Sequence, residues 1–311
     1  MFNSFIRFFK RLIPLMLALF FSTELRATHI RAMDIYYECL GNNTYTFYIK
    51  YYRDCGGVPL STNGMVLNIR SPSCGITMPA VNMALISGPT DVSQLCPSQM
   101  PFNSCNGSSI HPGTEEYIFS ATVQLTAQCN DWTIYHSRCC RNNAVTNVNA
   151  TNQSMYIEAT LDNTNGQCNN SPQFSNMPIL YGCAGMPLCF NHGSTDPDID
   201  SLSFEMIIPR GGNTIGGTNL NYTSGHSLAN PLMSSTPVSF DQNTGQICLT
   251  PSQQQQGVVA IKIYEWKNIN GTYVNTSYSI RELQLIIVAN CSSVYAGEPV
   301  DNITVNTGTL I

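Results

Sequence analysis

The chain has 311 residues, with 14 basic and 19 acidic side chains and a formal net charge of −5; that length is enough for about two domains of ~100–200 residues. An acidic chain this poor in lysine and arginine repels phosphate backbones, which argues against a nucleic-acid partner. Thirteen cysteines without a C-x-x-C pair, and five scattered histidines (His29, His111, His136, His192, His226), point away from zinc and toward disulfides.

Residues 1–27 read as a secretory signal peptide. Arg7, Lys10 and Arg11 precede an apolar run from Leu12 to Phe21, and the segment ends Leu25-Arg26-Ala27 with a small residue at the cut. That run is about half of the ~20 residues a spanning helix needs, and no later stretch is long and apolar enough, so no transmembrane span is expected. Subtracting the signal's four basic and one acidic residue leaves 10 against 18, a net of −8. All thirteen cysteines follow the cut, so disulfides formed after export are their expected fate, and the odd number leaves at least one unpaired within the chain.

Strand signals dominate the rest. Ile35–Cys39 and Tyr45–Tyr52 are rich in β-formers and flank Gly41-Asn42-Asn43, a tight-turn tripeptide, so they predict a hairpin. Further strands are predicted over 65–69, 116–125, 132–137, 155–161, 202–208, 246–250, 258–266 and 280–288. Asn, Gly, Pro and Ser fill the gaps, Gln253–Gln256 is a loop, and no window carries a helical stripe. The fold class is all-β, built of sandwiches. A boundary falls near Ser171-Pro172, giving an N-terminal cysteine-rich module of 28–171 and a second module of 172–291. Residues 292–311 are a polar tail or the opening of a further module.

The ordered motifs of the mature chain resemble a family of exported, modular Bacteroidetes cell-surface proteins, described as gliding-motility-associated or adhesin-like. They are Thr28-His29-Ile30, Ile35-Tyr36-Tyr37, Tyr51-Tyr52-Arg53-Asp54-Cys55, Cys139-Cys140-Arg141-Asn142, Tyr156-Ile157-Glu158-Ala159 and Asn170-Ser171-Pro172. Tyr181-Gly182-Cys183, Asn191-His192-Gly193, Asp196 to Asp200, Phe240-Asp241 with Thr244-Gly245, and Thr250-Pro251 continue the match. The resemblance implies export to the cell surface and binding to other surface proteins or to glycans. Two departures stand out: Ile199 replaces the glycine usual in Asp-Pro-Asp-Gly-Asp, and no C-terminal sorting domain is found.

The second module also resembles cadherin-like and Ig-like sandwiches. That likeness implies disulfides Cys189–Cys248 and Cys183–Cys291, and it places Glu265 at the same pole as the aspartate loop. Asp196, Asp198 and Asp200, with Glu265, then form a candidate Ca²⁺ site, since hard Ca²⁺ takes six to eight oxygens. An EF-hand is excluded, because its loop requires glycine at Ser201 and glutamate at Ile207. The competing reading is an Asx turn introducing the strand at Leu202, favoured by a β-branched Ile199 that resists the left-handed backbone. Asp241 reads as a turn former, its side chain bonding backbone two residues on while Gly245 supplies positive φ. Asp200-Ser201-Leu202 is similar to the O-glycosylation sequon of Bacteroidetes.

Cys39 lies near the hairpin turn and Cys55 near its open end, tens of ångströms apart at ~3.3 Å per residue, so these two do not pair. Cys96 and Cys105 are candidates to close a short loop, and the unpaired thiol falls in the first module. Trp132 and Trp266 are sugar-stacking candidates, although packing is the commoner role for strand tryptophans. No G-x-S-x-G, H-E-x-x-H, P-loop or dinucleotide motif is present. His111 with Glu115 and Glu116 is the nearest approach to a catalytic cluster, and its His-Pro-Gly-Thr setting reads as a solvated turn. The expected function is a non-enzymatic adhesion or envelope-assembly protein; the alternative is a carbohydrate-binding module.

Overall fold

A computed structural model describes residues 30–150, 153–166 and 168–289. The expected signal segment and tail, and Cys291, lie outside the described residues. The first half contributes β1 (Ile30–Gly41), β2 (Thr44–Asp54), β3 (Val66–Ser71), β4 (Ile76–Thr77), β5 (Val81–Asn82), β6 (Ala84–Asp91), β7 (Thr114–Gln124), β8 (Trp132–Arg138) and β9 (Met155–Leu161). The second contributes β10 (Gln173–Phe174), β11 (Ile179–Cys183), β12 (Leu188–Phe190), β13 (Ser194–Thr195), β14 (Ser201–Ile207), β15 (Arg210–Gly211), β16 (Thr218–Asn219), β17 (Ser239–Phe240), β18 (Ile247–Leu249), β19 (Gln255–Ile269) and β20 (Thr272–Val288).

The predicted hairpin is β1–β2, in register with Cys39 opposite Tyr45 and Gly41 opposite Thr44. Asn42 and Asn43 both take positive φ, at 50° and 56°, which is the turn geometry that matches strand twist. Alternation then sorts the side chains. Met33, Ile35 and Tyr37 of β1 and Tyr45, Phe47, Ile49 and Tyr51 of β2 point into a core shared with Leu67, Trp132, Ile134, Met155 and Ile157. The sheet β6-β7-β2-β1 thus packs over β3-β8-β9, which is a sandwich.

In the second half, β17-β18-β12 form one sheet, while β14, β19, β20 and β11 run side by side in the other, with β11 parallel to β20. That is the D-E-B and C-F-G strand order of an immunoglobulin-like sandwich, with its first strand crossing to the last. Leu188, Phe190, Ile247 and Leu249 face Val259, Leu283, Leu285 and Ile287 across its core. The long β19–β20 hairpin exceeds the predicted segments at both strands, turning at Asn270-Gly271 with both residues at positive φ.

β20 also docks into the first half, meeting β1 at Met33–Glu282 and β9 at Ala159–Ser279. Two adjacent residues secure it. Arg281 donates to Asp34 through Nε (2.7 Å) and a terminal nitrogen (3.1 Å). Glu282 accepts from Arg141 at 2.8 and 2.6 Å. All four side chains are buried.

The cysteine map corrects one expectation. Cys105 pairs with Cys55, not with Cys96, because the end of β2 is held against the turn before β7, where the Cys55 amide donates to the Gly113 carbonyl at 3.0 Å. Cys39 pairs with Cys168, Cys74 with Cys129, and Cys139 with its neighbour Cys140. Cys189–Cys248 links directly opposed residues of β12 and β18. Cys183 is disulfide-bonded, and its expected partner Cys291 lies outside the described residues. Among the described residues Cys96 is the free thiol.

Burying an ion pair is costly, and breaking one is costlier, because the remaining charge is left without a partner. Glu282→Leu strands the Arg141 guanidinium and is expected to lower stability by about 3–5 kcal/mol, measured by urea unfolding followed by fluorescence.

Candidate metal centre

Asp196, Asp198 and Asp200 occupy the loop between β13 and β14, and each offers an oxygen within 4.8 Å of the others. The loop is partly self-built. Asp196 Oδ1 accepts from the amides of Asp198 (2.8 Å) and Asp200 (3.1 Å), an Asx-type turn that delivers the chain into β14. Asp198 reaches outward instead: its two oxygens accept from the Asn170 amide (2.6 Å) and side chain (2.8 Å). Asn170 Oδ1 in turn accepts from the Cys39 amide at 2.9 Å. The loop is thereby tied to β1 through the segment that joins the halves.

Glu265 lies opposite Leu202 on the β14–β19 pairing and is fully buried. It accepts from Ser277 Oγ (2.9 Å) and Thr276 Oγ1 (3.3 Å), with Asn169 as a further donor. Burial, the nearby Asp196 charge and, less strongly, Asp200 push its carboxyl up to about 8, against the opposing bonds from Ser277 and Asn169. Asp196 is raised to about 6, chiefly by burial, with backbone amides opposing and the Asp200 and Asp198 charges adding.

The donor set fits a hard divalent cation. All the groups are oxygens, and Asp196 Oδ2 and Asn169 Oδ1 are buried with no hydrogen-bond donor. A cation would offset the burial and, in smaller part, the mutual repulsion that raise these carboxyl groups. Part of that work is done by Lys267, whose Nζ lies 2.9 Å from Asp200 Oδ2. Asn169, Asn170 and Lys267 were not singled out for this site by sequence. Only their fold neighbours bring them here, since Asn170 is 28 residues from Asp198.

Ile199 adopts φ of 65° and is 93 % exposed. The left-handed backbone that its branched side chain resists is therefore present, with no packing to offset the strain.

The other sequence candidates separate clearly. Asp241 forms its turn, accepting from Asn243 N at 2.8 Å with Gly245 at φ of 70°. Trp132 is fully buried in the first core and donates to Asn163 at 3.1 Å, which removes it as a sugar platform. Trp266 is half-buried and donates to Ser203 at 2.8 Å. His111 bonds Gln99 (3.1 Å), whereas Glu115 is taken by Arg53 and the Tyr117 hydroxyl. That candidate cluster is spent on separate partners.

No known family's profile matches the chain, and no characterised protein does. Among solved structures, a titin pair of Ig tandem domains A164-A165 aligns over 84 % of this chain and 99 % of that chain, at 11 % identity and a TM-score of 0.21. A score that low carries no weight, and the fold assignment rests on the strand order above. The protein is an all-β, disulfide-bonded sandwich protein with an acidic oxygen cluster at the junction of its halves. Among the described residues, no helix is long and apolar enough to cross a membrane.

Two outcomes follow from the loop's geometry. Ile199→Gly relieves a left-handed β-branched residue and is expected to raise stability by about 1 kcal/mol in urea unfolding. The raised carboxyl groups set a pH dependence. A carboxyl whose folded pKa exceeds its unfolded value stabilises below the unfolded value and loses that contribution as pH rises through the folded one. With chelator present, the melting temperature is expected to fall between pH 4.5 and about 8, the ordinary and raised values of the Glu265 carboxyl. Glu265→Gln should flatten that slope.

Proposed function

We propose that this chain is an exported, non-enzymatic surface protein, of the Bacteroidetes gliding-motility-associated or adhesin-like kind. In this reading its two sandwiches are held in fixed relation to serve adhesion or envelope assembly. The observation that carries it is the wiring of the junction. Cys39 is bonded to Cys168, the Cys39 amide to Asn170, and Asn170 to Asp198, while Arg281 and Glu282 are clamped to Asp34 and Arg141. Buried ion pairs and hydrogen bonds between the halves, with a disulfide anchoring the joining segment to β1, resist bending, which suits a spacer or adhesive module. Oxidised cysteines support a destination outside the cytoplasm.

The same junction favours Ca²⁺ as a stiffening ion. Asp196, Asp198, Asp200 and Glu265, with Asn169, would hold it, and it would supply the positive charge that Lys267 supplies only in part.

Extracellular calcium modules bind with Kd of about 10⁻⁴–10⁻³ M. At 5 mM Ca²⁺ against chelator, calorimetry is expected to show a melting temperature higher by about 2–8 °C. Asp198→Ala should abolish the rise, and an unchanged melting curve for the wild type would remove the ion from the account. Protease treatment of intact source cells tests the location. The protein should be degraded without lysis, and protection together with freely reactive thiols would overturn export.

A further inference from the structure

The outer face of β1 carries a second feature unrelated to the acidic loop. Alternation that sends Met33, Ile35 and Tyr37 into the core sends Asp34, Tyr36 and Glu38 to the opposite face, where Asp34 is buried and Tyr36 and Glu38 are half-buried. The β1–β2 register sets Lys50 opposite Asp34 and Tyr48 opposite Tyr36. Where β10 crosses this face, Gln173 and Phe174 wall it off, leaving a cleft of about 120 Å³ lined by Asp34, Tyr36, Glu38, Lys50, Gln173 and Phe174. A single water needs only ~10–15 Å³, so a group the size of one sugar ring has room.

The lining is pre-set. Asp34 is held from behind by Arg281, whose guanidinium lies 4.2 Å from the Phe174 ring centroid. Tyr36 and Tyr48 stack at 4.7 Å, and the Tyr48 hydroxyl donates to Glu38 at 3.1 Å. Lys50 Nζ sits 5.6 Å from the Tyr36 ring centroid. Arg281 neutralises Asp34 from behind, so the opening presents one acid, Glu38, and one base, Lys50. A charged ligand would be opposed by half of this lining. A neutral ring bearing several hydroxyls would meet carboxylate acceptors, an ammonium donor, an amide that does both, and aromatic surface for its C–H face.

We infer that this cleft binds a neutral pyranose residue of a glycan. The inference rests on the surface-binding role proposed above and names its partner class. It also moves sugar recognition away from both tryptophans, one buried in the core and the other bonded to Ser203.

The test is a glycan array carrying neutral, acidic and amino sugars, followed by calorimetric titration of the best-retained neutral glycan. The wild type is expected to retain neutral pyranose glycans. Tyr36→Ala and Lys50→Met should each weaken binding at least tenfold with melting unchanged, and Trp266→Ala should change it less than twofold. Lys50→Met decides the matter if Tyr36→Ala fails to fold. No retained glycan, preference for charged glycans or for basic peptides, or full binding by the variants would overturn the cleft's assignment. Any of those results would leave calcium-dependent melting and surface exposure intact, so the two readings fail separately.

Discussion

The structure depends on two neighbouring side chains of β20 that point to opposite faces and end in opposite charges. Arg281 reaches Asp34 on β1, while Glu282 reaches Arg141 in the loop before β9. Side-chain direction alternates with period two, so a slip of β20 by one residue would exchange the two charges. Arginine would then face Arg141 and glutamate would face Asp34, each a like-charge contact in a buried setting. Hydrophobic packing alone tolerates modest rearrangement; this pair of ion pairs does not. Register between the halves is therefore fixed by electrostatics, and the apolar cores on either side fill in around it.

Several of the short motifs that carry the family resemblance are spent on internal polar pairs, some within the first half and some at this seam. Arg53 pairs with Glu115, and Asp54 accepts from Arg31 and Asn142. Glu158 collects Tyr156, Tyr278 and Arg210 from three different strands. His192 is buried against Arg281, and burial together with that positive neighbour holds its pKa well below the usual histidine value. Along the chain these residues lie far apart. In the fold they are mutual partners, and their chemistry is used internally, on one another and on backbone carbonyls such as Ser154 and Arg210 that Arg141 satisfies.

What was legible in the sequence was local. The β1–β2 hairpin followed from two runs of β-formers around the tight-turn tripeptide Gly41-Asn42-Asn43, and the acidic loop from carboxylates spaced by two. The Cys189–Cys248 link came from likeness to a known sandwich. What was hidden was non-local. Nothing near Asn170 announces Asp198, and no spacing rule places Cys105 beside Cys55, when the nearer Cys96 offered a shorter loop. Strand β6 was missed because Ala84–Asp91 is mostly exposed and carries Gly88-Pro89, which reads as a breaker. The most misleading signal was Ile199. Its side chain argued for an ordinary backbone, yet Asp196, by capturing the amides of 198 and 200, forces the left-handed turn that glycine would have advertised.

The interior of the second sandwich is divided along β20. Its inward side chains run Ser277, Ser279 and Arg281 toward the junction, then Leu283, Leu285 and Ile287 at the far end. Only the far end builds a conventional apolar core, with Leu188, Phe190, Ile247 and Leu249. The near end faces His192, Asp34 and the acidic loop, where burial costs free energy unless each charge finds its partner. Asp34 is supplied by the first half and Asn170 by the segment between the halves. The two sandwiches are thus separate in shape yet joint in energetics: half of the second one's interior is stable only because the first supplies the counter-charges. An ion at the acidic loop would act on that same weak end, which is why cation binding, junction stiffness and the folding of the second half are expected to be one coupled property.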